Sequence, residues 1–417
     1  MMDIAPPKSR ACASIPAAAP GTVAQHARAP GMLSPFYRDA EARRVHTRPH
    51  AMAKLVRMRA ASSYNEVLDD AGERHGDIMN AQVQNTSAHE VRAAWIEAAR
   101  LRTLPLAASG SLIAAGLAAA RGAFRVEVFI LMLVVSVLLQ VIANFADDYG
   151  DLAHGLDDET RVGPKRGMQR GIITPQQMKR ALFGTCALTF ALGCLLIWVS
   201  FLRGPALDGN AVAAMGVFLA FGVAAIAAAV FYTVGPHPYG YMGLGDIMSF
   251  IFFGLVAVCA GSFLYLHSFD VASLVAGVAL GLPVAAVMNI NNMRDSLDDA
   301  SKGKRTIANR LYELGEGCSA TVRGQRVNGE QAMRMYHTAL LYLSLILFVA
   351  FIFVVKGFSL RTFVAGAAIC LSFQPLMSAL AGIVQEPDHT KLDRFMAPTS
   401  LGTVAVAIMV TICLVVA

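Results

Sequence analysis

Two stretches of this chain carry side chains whose types and spacing can do chemistry together. One reads Asn144-Phe-Ala-Asp147-Asp148-Tyr149-Gly150-Asp151, the other Asn291-Asn292-Met293-Arg294-Asp295-Ser296-Leu297-Asp298-Asp299. Asn144, Asp148 and Asp151 recur as Asn291, Asp295 and Asp298, each 147 positions later, while Asp147 has Arg294 as its mate. On a helix, positions i, i+4 and i+7 share a face, so each copy can aim an amide and two carboxylates at one point. Carboxylates held that close repel unless a cation stands between them. An all-oxygen site suits Mg2+, which takes one or two protein carboxylates together with phosphate oxygens. The metal-ligand candidates are therefore Asp148, Asp151, Asp295 and either Asp298 or its neighbour Asp299, with Asn144 and Asn291 in support. Solvated acids at a helix end are the plainer reading of one cluster; two clusters in matched register argue against it.

Basic residues follow each copy: Arg161-Val-Gly-Pro-Lys165-Arg166-Gly-Met-Gln-Arg170-Gly after the first and Lys302-Gly-Lys304-Arg305-Thr after the second. Lys165, Arg166, Arg170, Arg294 and Lys304 are candidates for binding phosphate oxygens, which Lys meets as a point charge and Arg as a fork. Membrane topology alone would also put Lys and Arg here, so that alternative stays open for each of them. A third stretch, Phe231-Tyr232-Thr-Val-Gly-Pro-His237-Pro-Tyr239-Gly-Tyr241-Met-Gly-Leu-Gly-Asp246, holds no Lys or Arg and is dense in Tyr and Gly. Tyr232 and Asp246 are candidates for handling a planar ring; the competing reading is a belt of interfacial tyrosines.

The elements that must position these groups are membrane helices. Of 417 residues, 55% are hydrophobic and only 15% charged, with a mean hydropathy of +0.51. A soluble domain carries about 25% charged residues, so an ordinary soluble enzyme, a disordered chain and a disulfide scaffold are all excluded. The 7 cysteines show no metal-ligand spacing and imply neither disulfides nor zinc. Apolar runs of about 20 residues, the length that crosses about 30 Å of hydrocarbon, recur near 103–120, 127–146, 181–202, 211–233, 247–266, 271–291, 336–355, 362–384 and 398–417. This predicts an all-α polytopic membrane protein with nine transmembrane helices. The two acidic copies end spans two and six, so their helices run the same way, as a parallel internal repeat does.

The loop 148–180 holds six Lys and Arg and the loop 293–335 holds eight, far more than the loops between them. The positive-inside rule places both, and the N-terminus, in the cytoplasm. The net charge of +6 then reflects basic cytoplasmic loops and a lipid bilayer as partner, not nucleic acid. Residues 1–93 lack a spanning run or a signal-peptide core and read as a disordered extension to a transmembrane domain over 94–417. No obligatory protein partner is evident.

Over about 95–417 the chain resembles the UbiA superfamily of intramembrane prenyltransferases. Four stretches carry the resemblance: Asp148-Tyr-Gly-Asp151, Arg161 through Gly171, Phe231 through Asp246, and Asn289-Ile-Asn-Asn-Met-Arg-Asp295. The residues 317–331 and the extension depart from the pattern. The resemblance implies a nine-helix bundle, Mg2+ bridging both acidic motifs to a polyprenyl diphosphate, and an aromatic acid acceptor. Its motif spacing favours Asp299 over Asp298. The branch that it most resembles prenylates 1,4-dihydroxy-2-naphthoate with loss of CO2, giving demethylmenaquinone in the bacterial inner membrane. The alternatives are another acceptor, such as 4-hydroxybenzoate or homogentisate, and, from a different class, a divalent-cation transporter.

Overall fold

The computed structural model describes residues 87–157, 163–202, 209–318, 321–322 and 325–417; most of the 1–93 extension, and Arg161, lie outside them. Helix α1 spans Ala88–Ala98. Ser87 and Glu90 cap its start reciprocally: the Glu90 N–H donates to Ser87 Oγ and the Ser87 N–H to Glu90 Oε2, which satisfies two donors left over at a helix start. The helix thus begins ahead of the boundary expected at 93. Ala94 and Ala98 are buried in an apolar cluster with Ile142, Phe145, Met168 and Ile173.

The spans follow: α2 Leu104–Ala119, α3 Val126–Ala153, α4 Pro175–Leu202, α5 Gly209–Phe231, α6 Gly245–Leu266 and α7 Val271–Arg294. Short helices α8, Ser296–Ser301, and α9, Ile307–Glu316, come next. Two two-residue strands, β1 Thr321–Val322 and β2 Gln325–Arg326, pair antiparallel within the stretch read as an insertion. Then come α10 Gly329–Lys356, α11 Leu360–Ser372, α12 Gln374–Gln385, and α13 Met396–Val416, which a 3-10 turn over His389–Phe395 precedes. Among the described residues eight helices are long and apolar enough to cross a membrane, α11 with α12 counting as one. The shorter apolar helix α2 accounts for the ninth expected span. The chain is an integral membrane protein, and each span satisfies its own backbone hydrogen bonds as hydrocarbon requires.

Helix α7 lies at the centre, packed against α6, α10 and α13, and 67% of its apolar window is buried. Close approach makes this possible: a Cβ at Gly254 would sit 2.4 Å from the Gly281 Cα. Gly254 lies in a π-helical stretch of α6, Phe250–Val256. Helix α5 is the opposite case. It touches α3 and α4, yet none of its apolar window is buried. The acidic ends of α3 and α7 meet at the same end of the bundle, where Lys302 Nζ donates to the Leu156 carbonyl at 3.0 Å.

Candidate active site

Asp147, Asp148 and Asp151 are buried in the last two turns of α3. Arg166, buried and reaching in from the loop after α3, is their common partner. Its guanidinium lies 2.8 Å from Asp147 Oδ2, 3.2 Å from Asp148 Oδ1, 3.1 Å from Asp151 Oδ2 and 3.2 Å from Asp157 Oδ2. Burial alone would weaken its hold on the proton; the four carboxylates more than offset this and raise its pKa well above the ordinary value. Arg100 adds an ion pair to Asp147 and one of 2.9 Å to Asp148 Oδ1. Its backbone is left-handed, φ 55°, which few residues other than glycine adopt. The Asn144 amide donates to the Ala99 carbonyl at 2.9 Å, so Asn144 anchors the turn that presents Arg100.

The second cluster is built differently. Arg294 forks onto Asp295, with Nε 2.7 Å from Oδ1 and Nη2 2.6 Å from Oδ2. It also donates to Asn291 Oδ1 at 2.8 Å and to Asp393 Oδ1 at 2.5 Å. Asp298 is half-buried and pairs with Lys302 at 3.0 Å. Asp299 is buried and pairs with Lys304 at 3.2 Å. Burial pushes the Asp299 carboxyl up to about 6, against the pull of Lys304. Of the two neighbours, Asp299 is the one turned inward.

Lys304 connects the clusters. Besides Asp299, its ammonium stands 5.7 Å above the Tyr241 ring, and the Tyr241 hydroxyl donates to Asp151 Oδ1 at 2.8 Å. Burial works against its charge, but Asp299 and then Asp151 hold it protonated. The Arg305 N–H donates to the Tyr241 carbonyl at 2.8 Å, and Arg310 Nη2 to the Met242 carbonyl at 2.9 Å. The aromatic loop, itself without a Lys or Arg, is thus pinned to the second basic loop. Gly150 permits its approach to α3, since a Cβ there would sit 2.4 Å from the Thr233 carbonyl oxygen.

Tyr232 stacks edge-on with Tyr239, its hydroxyl 3.6 Å from Met288 Sδ. Burial pushes its pKa up, and its hydroxyl feels Lys304, Asp147, Asp151 and Asp246. Asp246 is buried at the start of α6, accepting from Asn292 Nδ2 at 2.6 Å. Asp148, Asp151, Asp295, Asp299, Arg166, Arg294, Lys304, Tyr232 and Asp246 therefore gather at one end of the bundle. Lys165 is exposed, and Arg170 pairs with Glu97 at the surface; neither joins the buried cluster.

Among the described residues, no three His, Cys, Asp or Glu side chains meet as they stand in a group that would hold a metal ion. The donor set nevertheless fits a hard cation: the converging groups are carboxylate oxygens, and four of them share the one guanidinium of Arg166. In addition, Asp299 Oδ2 is buried and ion-paired but has no well-aligned hydrogen bond. An oxygen-rich, acidic environment is one that Mg2+ selects.

Sequence reasoning missed Arg100, Asp157, Tyr241, Asn292 and Asp393. Arg100 precedes the first span, where topology already explains an arginine.

The sequence profile of the UbiA prenyltransferase family matches residues 108–397. The 1,4-dihydroxy-2-naphthoate octaprenyltransferase of Escherichia coli (strain K12) is 40% identical over 253 residues, 61% of this chain and 74% of that protein. That of Haemophilus influenzae is 39% identical over 262 residues, 62% of this chain and 76% of that one. A solved apo structure of a UbiA homolog from Aeropyrum pernix K1 shares the fold, with TM-score 0.51 and 18% identity over 75% of this chain and 97% of its own.

Proposed function

The chain belongs to the UbiA prenyltransferase family, and on that footing we infer that it is the polyprenyltransferase that acts on 1,4-dihydroxy-2-naphthoate in menaquinone biosynthesis. The prenyl C–O bond breaks with its electron pair leaving on diphosphate. An electron-rich ring carbon bonds to the allylic cation, and CO2 departs, leaving its bonding pair to the ring. The observation that carries this reading is Lys304, which ties the second cluster through Asp299 to the first through Tyr241 and Asp151. Two acidic motifs 147 residues apart would thereby serve one site.

Asp148, Asp151, Asp295 and Asp299 would hold Mg2+, which supplies charge neutralisation that makes diphosphate a competent leaving group. Arg166, Arg294 and Lys304 would take phosphate oxygens. Asp298, held by Lys302, is left with a supporting part. Asn144 and Asn291 act one step back, by fixing the Arg100 turn and the Arg294 fork. Tyr232 and Asp246 handle the aromatic acceptor. The buried setting keeps water from the allylic cation. By the positive-inside rule the acidic end faces the cytoplasm, in the bacterial inner membrane.

A divalent-cation path would need acids along its length; among the described residues no span carries a carboxylate in its middle. The test is purified protein in proteoliposomes with Mg2+, a radiolabelled polyprenyl diphosphate and a panel of acceptors. Transfer to dihydroxynaphthoate with stoichiometric CO2 is expected. Preference for 4-hydroxybenzoate or homogentisate would overturn the acceptor, and no transfer to any would overturn the reaction.

A further inference from the structure

Away from the acidic clusters, one surface combines unpaired positive charge with an apolar cleft. Helices α4 and α5 pack side by side, yet space stays open between them. At the start of α4 lies a groove of about 640 Å3 whose walls include Lys179, Arg180, Phe183 and Cys186, with Val230 facing from the end of α5. Farther along the same helices a narrow apolar cleft has Phe190, Gly193, Cys194 and Ile197 of α4 against Gly222 and Ile226 of α5. On α4 these positions follow one another by three or four residues, so they share one face. Val230, Ile226 and Gly222 do the same on α5. Groove and cleft are therefore two parts of one seam, a helical turn apart. Glycine does not serve close packing here, as Gly254 does against α7. A Cβ added at Gly184, Gly193 or Gly222 would meet nothing within 4 Å.

The two ends of the seam differ in chemistry, and the difference selects the ligand. Lys179 and Arg180 are exposed. Among the described residues neither is ion-paired to a carboxylate, whereas Arg166 and Arg170 both are. Phe183, one turn farther in, is 76% exposed. From there to Ile197 the helix runs about 21 Å at 1.5 Å per residue, more than half of the roughly 30 Å of hydrocarbon and so the depth of one leaflet. A cationic mouth above an apolar cleft one leaflet deep matches an amphiphile with an anionic head and an acyl chain. A neutral lipid would leave both bases unmet. A polyprenyl diphosphate would find no carboxylate here through which Mg2+ could engage it. A second copy of the chain, docked on the same patch, would bring like charges together.

We propose that the seam between α4 and α5 binds one anionic phospholipid, its phosphate on Lys179 and Arg180 and an acyl chain along Phe183, Gly193 and Gly222. Its leaflet is the one at the acidic end of the bundle, where Met178 and Leu182 of α4 share a cluster with Ile142 and Phe145 of α3. By the positive-inside rule that is the cytoplasmic leaflet, whose anionic lipids attract basic side chains. The inference does not depend on which reaction the acidic end performs. It gives α5, none of whose apolar window is buried in the protein, a specific partner along its length.

The test is native mass spectrometry of the purified protein with phosphatidylglycerol or phosphatidylcholine, joined to amide exchange over 211–231 in nanodiscs of either lipid. Phosphatidylglycerol should be retained as a single copy and should slow exchange more than phosphatidylcholine does. Lys179→Gln/Arg180→Gln should weaken phosphatidylglycerol about thirtyfold, the share of two basic residues beside an anionic lipid, and leave phosphatidylcholine unchanged. The control pair Arg92→Gln/Lys391→Gln, exposed bases that do not line the seam, should change neither. Gly193→Leu, which fills the cleft, should weaken both lipids. Should that variant fail to fold, the charge pair and the wild-type comparison decide. Equal retention of the two lipids by wild-type protein would overturn the site. So would an equal loss in the control pair, which would show diffuse attraction by basic loops. Displacement of phosphatidylglycerol by polyprenyl diphosphate would hand the seam to the substrate's tail. A lipid-free dimer broken by Gly193→Leu would hand it to a second copy of the chain. Either result would also overturn the proposal.

Discussion

The two acidic clusters share a sequence pattern and differ in how their charge is met. At the end of α3, Asp147, Asp148, Asp151 and Asp157 lean on two guanidinium groups, Arg100 and Arg166. At the end of α7, nearly every acid has its own base: Asp295 the Arg294 fork, Asp298 Lys302, Asp299 Lys304. Four acids of the first cluster thus share the guanidinium of Arg166, whereas the second pairs its acids and bases more nearly one to one. A repeat can thus keep its spacing while its halves diverge, one toward attracting a cation and the other toward holding charge in a fixed geometry. Substitution of Asp147 by Arg294 at equivalent positions is the simplest source of that divergence, since it trades an acid for a base.

Removing divalent metal should have the largest effect. Turnover should vanish in excess EDTA and return with Mg2+; activity that persists in EDTA would leave the crowding of acids around Arg166 without a purpose. Next come the acids themselves. Asp148→Ala and Asp151→Ala should lose at least about a thousandfold in kcat. Asp295→Ala should lose less if its first task is to hold Arg294, and the double variant Asp148→Ala/Asp295→Ala should be little worse than Asp148→Ala, because residues that act as a unit are not additive. Equal losses at Asp148 and Asp295 would break the asymmetry.

Replacing the bases sharpens the same contrast. Arg166→Gln and Arg294→Gln each strip a buried partner from carboxylates, at a cost of about 3–5 kcal/mol. Thermal unfolding in detergent should show Mg2+ rescuing Arg166→Gln, because a cation can replace the shared guanidinium, and rescuing Arg294→Gln far less. The smallest effects belong to the surface. Lys165→Ala and Arg170→Ala should change kcat/KM no more than about twofold, since exposed ion pairs are worth about 0–1 kcal/mol, and Asp298→Asn should lose far less than Asp299→Asn.

The helices were legible because each span has to be apolar along its whole length, and the repeat because helical spacing writes a shared face into the sequence. What the spacing could not show was partnership. Asn144 bonds a carbonyl 45 positions away at Ala99, which depends on where the chain turns before the first span. Lys165 and Arg166 are neighbours on one loop, yet one points to solvent and the other into four carboxylates; loops have no periodicity to announce that. That Asp299 rather than Asp298 turns inward depends on the face that the short helix α8 presents to the bundle.

Helix α5, with none of its apolar window buried in the protein, has a consequence for handling as well as for architecture. It packs on α3 and α4 through partly buried side chains alone, and Tyr232 follows directly from its last residue, Phe231. Delipidation should loosen this helix first, seen as faster amide exchange over 211–231 than over 271–294 in detergent but not in nanodiscs. Bilayer thickness acts on the same lever, because a span tilts to match its hydrocarbon and would carry the tyrosine with it. Turnover should accordingly depend on acyl-chain length even when both substrates saturate, making the surrounding lipid an adjustable component of the acceptor side of the site.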